Sequence, residues 1–169
     1  MNTYINNIHF LLDKAVQNVV QLLYKENLTL ATAESCTGGL LSGAITEVSG
    51  SSRVFGLGVC AYANEIKERV LNVNPETLRD YGAVSSQCAA EMSLGVRKIS
   101  GADIGVSITG IAGPSGGSPQ KPVGTVFFAC SFKEKLNILH LEICAKKSRL
   151  DIRLESVRQA LILITDTIS

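Results

Sequence analysis

From residue 28 to residue 109 the chain repeatedly changes its hydrophobic period. Three short apolar runs, 28–33, 54–62 and 103–109, have the length of buried strands. The stretches between them carry helical spacing. Residues 39–48 place Leu40, Leu41, Ala44, Ile45 and Val48 on one face, and shorter helices are expected over 65–71 and 75–81. A longer helix is predicted over 86–99, with Ala89, Met92, Val96 and Ile99 facing inward. Turn and cap signals agree with these boundaries. Gly50-Ser51-Ser52 ends one helix, Asn74 precedes Pro75 as an N-cap, Gly82 closes the next helix and Ser85 caps the one after it. Parallel strands need such crossover helices, and the helices must cover the faces of the sheet. Further on, strands over 125–131 and 137–144 suit a hairpin around 133–135. An amphipathic helix opens the chain over 5–24, through Ile5, Ile8, Leu11, Leu12, Ala15, Val16, Val19, Leu22 and Leu23, and another closes it over 149–168. The pattern predicts an α/β fold: a three-layer α/β/α sandwich with a mixed parallel/antiparallel sheet, as a single domain over 1–169.

Composition narrows the function classes. A chain of 169 residues with 46% apolar and 18% charged residues can bury a sizeable core. Its net charge is +1 and it has no long basic or acidic block, which argues against a nucleic-acid partner but leaves room for a single bound phosphate. No apolar run approaches the ~20 residues of a membrane span. The start, MNTYINNIHFLLDKAVQ, lacks a basic region followed by a cleavage site, so no membrane association and a cytoplasmic location are expected. The five cysteines, Cys36, Cys60, Cys88, Cys130 and Cys144, include no C-x-x-C pair, and there are two histidines. Neither a disulfide framework nor a structural zinc site is expected; small buried thiols fit better.

The stretch LATAESCTGGLLSGAI, 30–45, puts Ser35 and Cys36 where a strand would pass into a helix. Ligands of open α/β sheets bind at the carboxyl ends of strands. Backbone N–H groups of Thr37, Gly38 and Gly39 at such a junction can receive a phosphate or a developing oxyanion, and glycine allows close approach. On spacing alone, a purely capping role for Ser35 or Thr37 is equally open. A nucleophilic serine needs a base, and neither His9 on the first helix nor His140 in a late strand is suitably placed. Lys67, five residues after Tyr62 at the next strand-to-helix junction, can act if burial lowers its pKa, with Tyr62 relaying a proton or orienting the serine. The alternative is a solvated helix lysine.

The loop over 110–124, rich in glycine and proline, contains two motif matches. GPSGG (113–117) fits the nucleophile elbow, but Ser118-Pro119 follows where a helix should start. SPQK (118–121) fits S-x-x-K, but Pro119 and Pro122 disfavour the helical turn it requires. A flap whose N–H groups face an anion explains the loop better. Arg149 and Arg153 lie four apart and share a helix face, as anion receptors or as ion-pair partners of Asp151 or Glu155; for Arg158 ion pairing is the better reading.

Taken in order, TAESCTGG (32–39), GSSRVFGLGV (50–59), YANEIK (62–67), GAVS (82–85), SITGIAGPSGGSPQKPVGTV (107–126) and the SR…IR pattern at 148–153 resemble the CinA carboxy-terminal domain family, the nicotinamide mononucleotide deamidases. The resemblance runs from about Leu22 to Leu163. It implies hydrolysis of nicotinamide mononucleotide to nicotinate mononucleotide and ammonia, in pyridine nucleotide salvage. It also implies a metal-independent serine mechanism without cofactor, and a homodimer. Carried over, Ser35 becomes the nucleophile and Lys67 with Tyr62 the acid/base pair. Cys36, Thr37, Gly38, Gly39, Asn64, Thr109, Gly110, Ala112, Gly113 and Arg149 become substrate-binding positions. The chain departs from the family pattern in two places. Ala63 stands where many members have serine, and Lys147-Ser148 stands where Gly-Asp is usual, a loss expected to loosen Arg149 or change substrate preference. Some members carry an additional amino-terminal molybdopterin-binding-like domain, whose activity is not expected of these residues. A non-catalytic nucleotide-binding module on the same scaffold, and a hydrolase using Ser115, are the competing expectations.

Overall fold

The structure, a computed structural model, describes residues 2–169, with side chains from residue 12 onward. The side chains of Ile5, Ile8, His9 and Leu11 therefore lie outside the described residues. The central sheet has the order β2-β1-β3-β4-β5, formed by β1 (Leu30–Glu34), β2 (Phe55–Cys60), β3 (Ile104–Gly110), β4 (Thr125–Phe132) and β5 (Lys135–Glu142). β1 runs parallel to β2 and to β3, while β3, β4 and β5 pair antiparallel. Helices α1 (Asn2–Lys25), α2 (Leu40–Thr46) and α6 (Arg149–Ile168) cover one face, where Val16, Val19, Leu41, Ile45, Ile152 and Val157 join the larger core. On the other face, α3 (Asn64–Leu71) and α5 (Ser86–Ser100) bury Leu71, Cys88, Met92 and Val96 against Ala31 and Ala33, and α4 (Pro75–Asp80) leans on α5. The expected three-layer sandwich with a mixed sheet is what the chain forms.

The topology sets the position of the site. β1 passes through α2 to β2 on one side, and the chain then crosses the other face to reach β3 on β1's opposite side. The carboxyl ends of β1 and β3 therefore flank the switch point where ligands bind in open α/β sheets. Small residues draw α5 onto this part of the sheet. A side chain at Gly105 would meet the Ser93 carbonyl at 2.2 Å, and the Ser107 hydroxyl donates to the Ala89 carbonyl at 2.6 Å. Gly95 lets α5 cross α3 so closely that a Cβ there would stand 1.9 Å from the Leu71 carbonyl oxygen.

Caps predicted from sequence are present: Asn74 accepts from the Glu76 N–H, and Ser85 from the Cys88 N–H. Four expectations need correction. β2 is not buried but forms the outer strand of the sheet, with alternating exposed and half-buried residues, because no strand among the described residues lies beyond it. β5 begins at Lys135, since the hairpin turns on Lys133 (φ 51°) and Glu134 alone. Ile99 is 48% exposed; the inner face of α5 stops at Val96 because the last turn leads out of the layer toward Gly101. α2 starts at Leu40 rather than 39, with Gly39 (φ 92°) as an N-cap residue that contributes no side-chain bond.

Candidate active site

Ser35 follows the last residue of β1, and its N–H donates to the Ile108 carbonyl at 2.9 Å, which ties it to the neighbouring strand β3. Lys67 sits in the first turns of α3, immediately after the outer strand, and points inward. It is 1% exposed. Its Nζ donates to the carbonyls of Ala61 at 2.8 Å and Tyr62 at 3.1 Å, and lies 3.3 Å from Ser35 Oγ. Burial holds the Lys67 pKa below its ordinary 10.5, since the charged form loses water and no carboxylate among the described residues bonds it. In the neutral amine, two N–H groups engage the two carbonyls and the lone pair is left for the serine proton. The solvated-lysine alternative is thereby excluded.

Tyr62 behaves differently from its expected role. Its side chain is 66% exposed, and its hydroxyl accepts from Arg149 Nη2 at 3.3 Å. It is the Tyr62 backbone carbonyl, not the phenol, that touches Lys67. Arg149, the first residue of α6, also donates through Nη1 to the Gly113 carbonyl, so it bridges the flap loop and the β2–α3 junction. Ser148 stands where an aspartate is usual in the family pattern, directly before Arg149. It caps α6 in a capping box, its hydroxyl 2.7 Å from the Asp151 carboxylate and its Oγ accepting from the Asp151 N–H at 3.2 Å.

A cavity of about 250 Å³ opens at this point. Of the expected site residues, Ser35, Cys36, Tyr62, Asn64, Lys67, Thr109, Gly110, Ala112, Gly113 and Arg149 line it. Thr37, Gly38 and Gly39 do not, and the expectation that their N–H groups face a ligand is corrected for the two glycines: the Gly38 N–H donates to the Ser35 carbonyl and the Gly39 N–H to Glu34. Lining residues passed over in the sequence include Ala83 and Val84 of the GAVS segment. This segment is held against the site by the Thr109 hydroxyl, which donates to the Ala83 carbonyl at 2.7 Å. No acidic side chain lines the cavity, while Lys67 and Arg149 do. Ser115 lies exposed on the flap at the cavity's rim, with no hydrogen-bonded base among the described residues, and His140 stacks on Phe127 at 4.3 Å in the outer strand β5. Cys36 is 5% exposed, and burial, reinforced by the Glu34 carboxylate, pushes its thiol up to about 12. It therefore stays protonated and is not an activated nucleophile.

The sequence reading also missed Glu34 and underused Arg153. Glu34 is fully buried, and its carboxylate accepts from the N–H groups of Gly39 (3.1 Å), Leu41 (3.1 Å) and Ser42 (2.9 Å) and from the Ser42 hydroxyl (2.6 Å). This carboxylate, not Ser35 or Thr37, caps α2. Arg153 Nη2 donates to the Thr37 carbonyl at 2.7 Å. The signal for Glu34 was a lone acid at the end of an otherwise uncharged, strand-forming run. Among the described residues no group of His, Cys, Asp or Glu could hold a metal ion, and no helix is long and apolar enough to cross a membrane.

Comparison with known proteins agrees with this architecture. The chain superposes on the crystal structure of competence/damage inducible protein CihA from Agrobacterium tumefaciens with a TM-score of 0.92, at 38% identity, covering 94% of this chain and 96% of that one. It superposes on competence damage-inducible protein A (ComA) from Klebsiella pneumoniae with a TM-score of 0.89 at 33% identity, covering 93% and 96%. In sequence it is 56% identical to a CinA-like protein of Thermotoga maritima over 115 residues, 68% of this chain and 28% of that one. It is 47% identical to a CinA-like protein of Kosmotoga olearia over 149 residues, 85% of this chain and 36% of that one. The chain thus spans about a third of the length of the curated relatives it matches. The family model of the CinA C-terminal domain matches residues 12–168, from the first described side chain almost to the last residue, and with that extent of agreement the chain belongs to the CinA C-terminal domain family.

Proposed function

We propose that the protein is a nicotinamide-nucleotide amidohydrolase that converts nicotinamide mononucleotide and water to nicotinate mononucleotide and ammonia, a step of pyridine nucleotide salvage. The observation that carries this reading is the buried Lys67 amine, 3.3 Å from Ser35 Oγ. Lys67 takes the serine proton as Oγ attacks the carboxamide carbon. The N–H of Cys36 and N–H groups of the 112–113 flap segment receive the oxyanion. Lys67 returns the proton to the amide nitrogen, the C–N bond breaks and ammonia leaves, with the nicotinate mononucleotide acyl group, its ribose phosphate still attached, esterified to Ser35. Water, deprotonated by Lys67, attacks that ester, and Oγ departs with the proton. Tyr62 contributes to this scheme by holding Arg149 over the cavity mouth. Arg149 offers a fork for the phosphate, and a cavity lined by cations and no acids suits a phosphate monoester.

The non-catalytic reading draws its motive from Lys147-Ser148; the capping box by which Ser148 starts α6, and so places Arg149, supports the catalytic reading. A homodimer fits one surface. Ser131 faces α5, so its pairing with Leu136, and that of Ala129 with Ile138, put Leu136 and Ile138 on the same face. There they remain 39% and 46% exposed. A second copy would cover them.

Ammonia release from nicotinamide mononucleotide, measured with EDTA present, tests the reading. Release by the parent and its loss in Ser35→Ala are expected. Undiminished release by folded Ser35→Ala would overturn it.

A further inference from the structure

The proposed chemistry needs Ser35 held in place by a turn that is intrinsically loose. Gly38 and Gly39 both have positive φ, 59° and 92°, a conformation that glycine leaves as easily as it adopts. The turn is held from two sides. From α6, Arg153 grips the Thr37 carbonyl. From beneath, Glu34 binds the N–H groups of Gly39, Leu41 and Ser42 and the hydroxyl of Ser42, whose Oγ lies 2.8 Å from Thr32 Oγ1.

Glu34 is an expensive residue at this position. The rest of β1, Leu30–Ala33, is buried and carries no charge. A fully buried carboxylate without a cation partner persists only when donors replace its water. Here four donors do so, and they are drawn from the start of the helix that follows the nucleophile. The charge also settles α2's N-terminal dipole internally.

We infer that Glu34 is a positioning residue: its buried carboxylate fixes the Ser35–Gly39 turn, and with it the serine hydroxyl, by holding the first N–H groups of α2. The inference rests on the Ser35–Lys67 reading of the site. A consequence follows for ligand binding. The α2 N-terminus serves the protein's own anion, so the substrate's anionic group goes to the Arg149 side of the cavity.

Glu34→Gln is the informative change, since either amide orientation turns an N–H₂ toward backbone N–H donors. Ser42→Ala is the milder companion. It removes one of the four donors at a side chain that does not line the cavity. The readout is the rate at which an alkyl fluorophosphonate labels Ser35, followed by peptide mapping across pH, with folding of each variant checked by thermal melting. The rate for Glu34→Gln is expected to fall by on the order of 100-fold, as for a displaced reacting group. Ser42→Ala is expected to fall between it and the parent. The pH midpoint of labelling is expected to stay that of the parent, since Lys67 is untouched. Labelling of folded Glu34→Gln at the parent rate would overturn the inference. So would a moved midpoint, which would make Glu34 a titrating participant. Should Glu34→Gln fail to fold, Ser42→Ala decides: slowed labelling sustains the inference and the parent rate overturns it. If the parent labels at Ser35 but releases no ammonia from nicotinamide mononucleotide, the amidase reading falls alone. If Ser35 in the parent does not label, the inference falls together with the dyad.

Discussion

At Ser35 the outcome depends on the protonation state of one amine. Burial lowers the Lys67 pKa from 10.5, and the proposed mechanism uses the neutral form, so kcat/KM should rise with pH along a limb centred below 10.5. Lys67→Met should abolish that limb and lower the rate by ~100-fold or more. The same shift acts on stability. Between the folded and unfolded pKa values the unfolded chain binds the extra proton, so the parent gains stability as pH rises through that window. Urea titrations should show the parent gaining on Lys67→Met as pH increases; a constant difference would contradict the buried-amine account. Cys36 is the internal control. Its thiol stays protonated to about 12, so Cys36→Ser should keep ammonia release within severalfold of the parent. The sequence placed Ser35 and Lys67 through strand-to-helix junctions. It could not show that Lys67 turns inward or that the Tyr62 phenol turns out to Arg149, because side-chain direction at a junction is decided by packing from other elements.

At one departure from the family pattern, Ala63, the elements leave a helix cap unfilled. Ala63 occupies the N-cap of α3 in an extended conformation (φ −81°, ψ 152°) with no side-chain bond, where a serine would accept from the helix N–H groups. Ala63→Ser should therefore stabilise the protein by ~0.5–1 kcal/mol, read as a higher urea midpoint at unchanged m-value. Gly95 works in the opposite sense. With a Cβ only 1.9 Å from the Leu71 carbonyl, Gly95→Ala must push α3 off α5 and carry Lys67 with it. A loss of ~1–3 kcal/mol is expected from the overpacking, together with slower ammonia release from the protein that remains folded. Element type and order were legible because apolar period and cap residues are local signals. The errors fell where the answer depended on neighbours: β2 is exposed because no strand among the described residues lies beyond it, and Ile99 because the inner layer stops at Val96. Glu34 was only half legible for the same reason. As a lone acid closing an uncharged strand it stands out, but its four donors come from the next helix.

At the scale of the whole molecule, the switch point of the sheet collects residues from five separate stretches: Ser35 after β1, Lys67 on α3, Ala83 and Val84 ahead of α5, Thr109–Gly113 running off the end of β3 and Arg149 at the head of α6. Only the family resemblance joined these segments before the structure did, since no local pattern links 35 to 149. The second whole-molecule feature is the exposed face of β5. Ile138→Lys should shift a homodimer to monomer in sedimentation, while a parent that sediments as a monomer would contradict the proposed pairing. The central claim is that Ser35, and no other group, carries the acyl intermediate. The most direct test is acid quenching of the enzyme during turnover of nicotinamide mononucleotide, followed by mass mapping of its peptides. The account predicts an ester of nicotinate mononucleotide, through its pyridine carboxyl, on Ser35, absent from Lys67→Met. A modification at Cys36 or Ser115, or ammonia release with every peptide unmodified under conditions where deacylation is slowed, would contradict it.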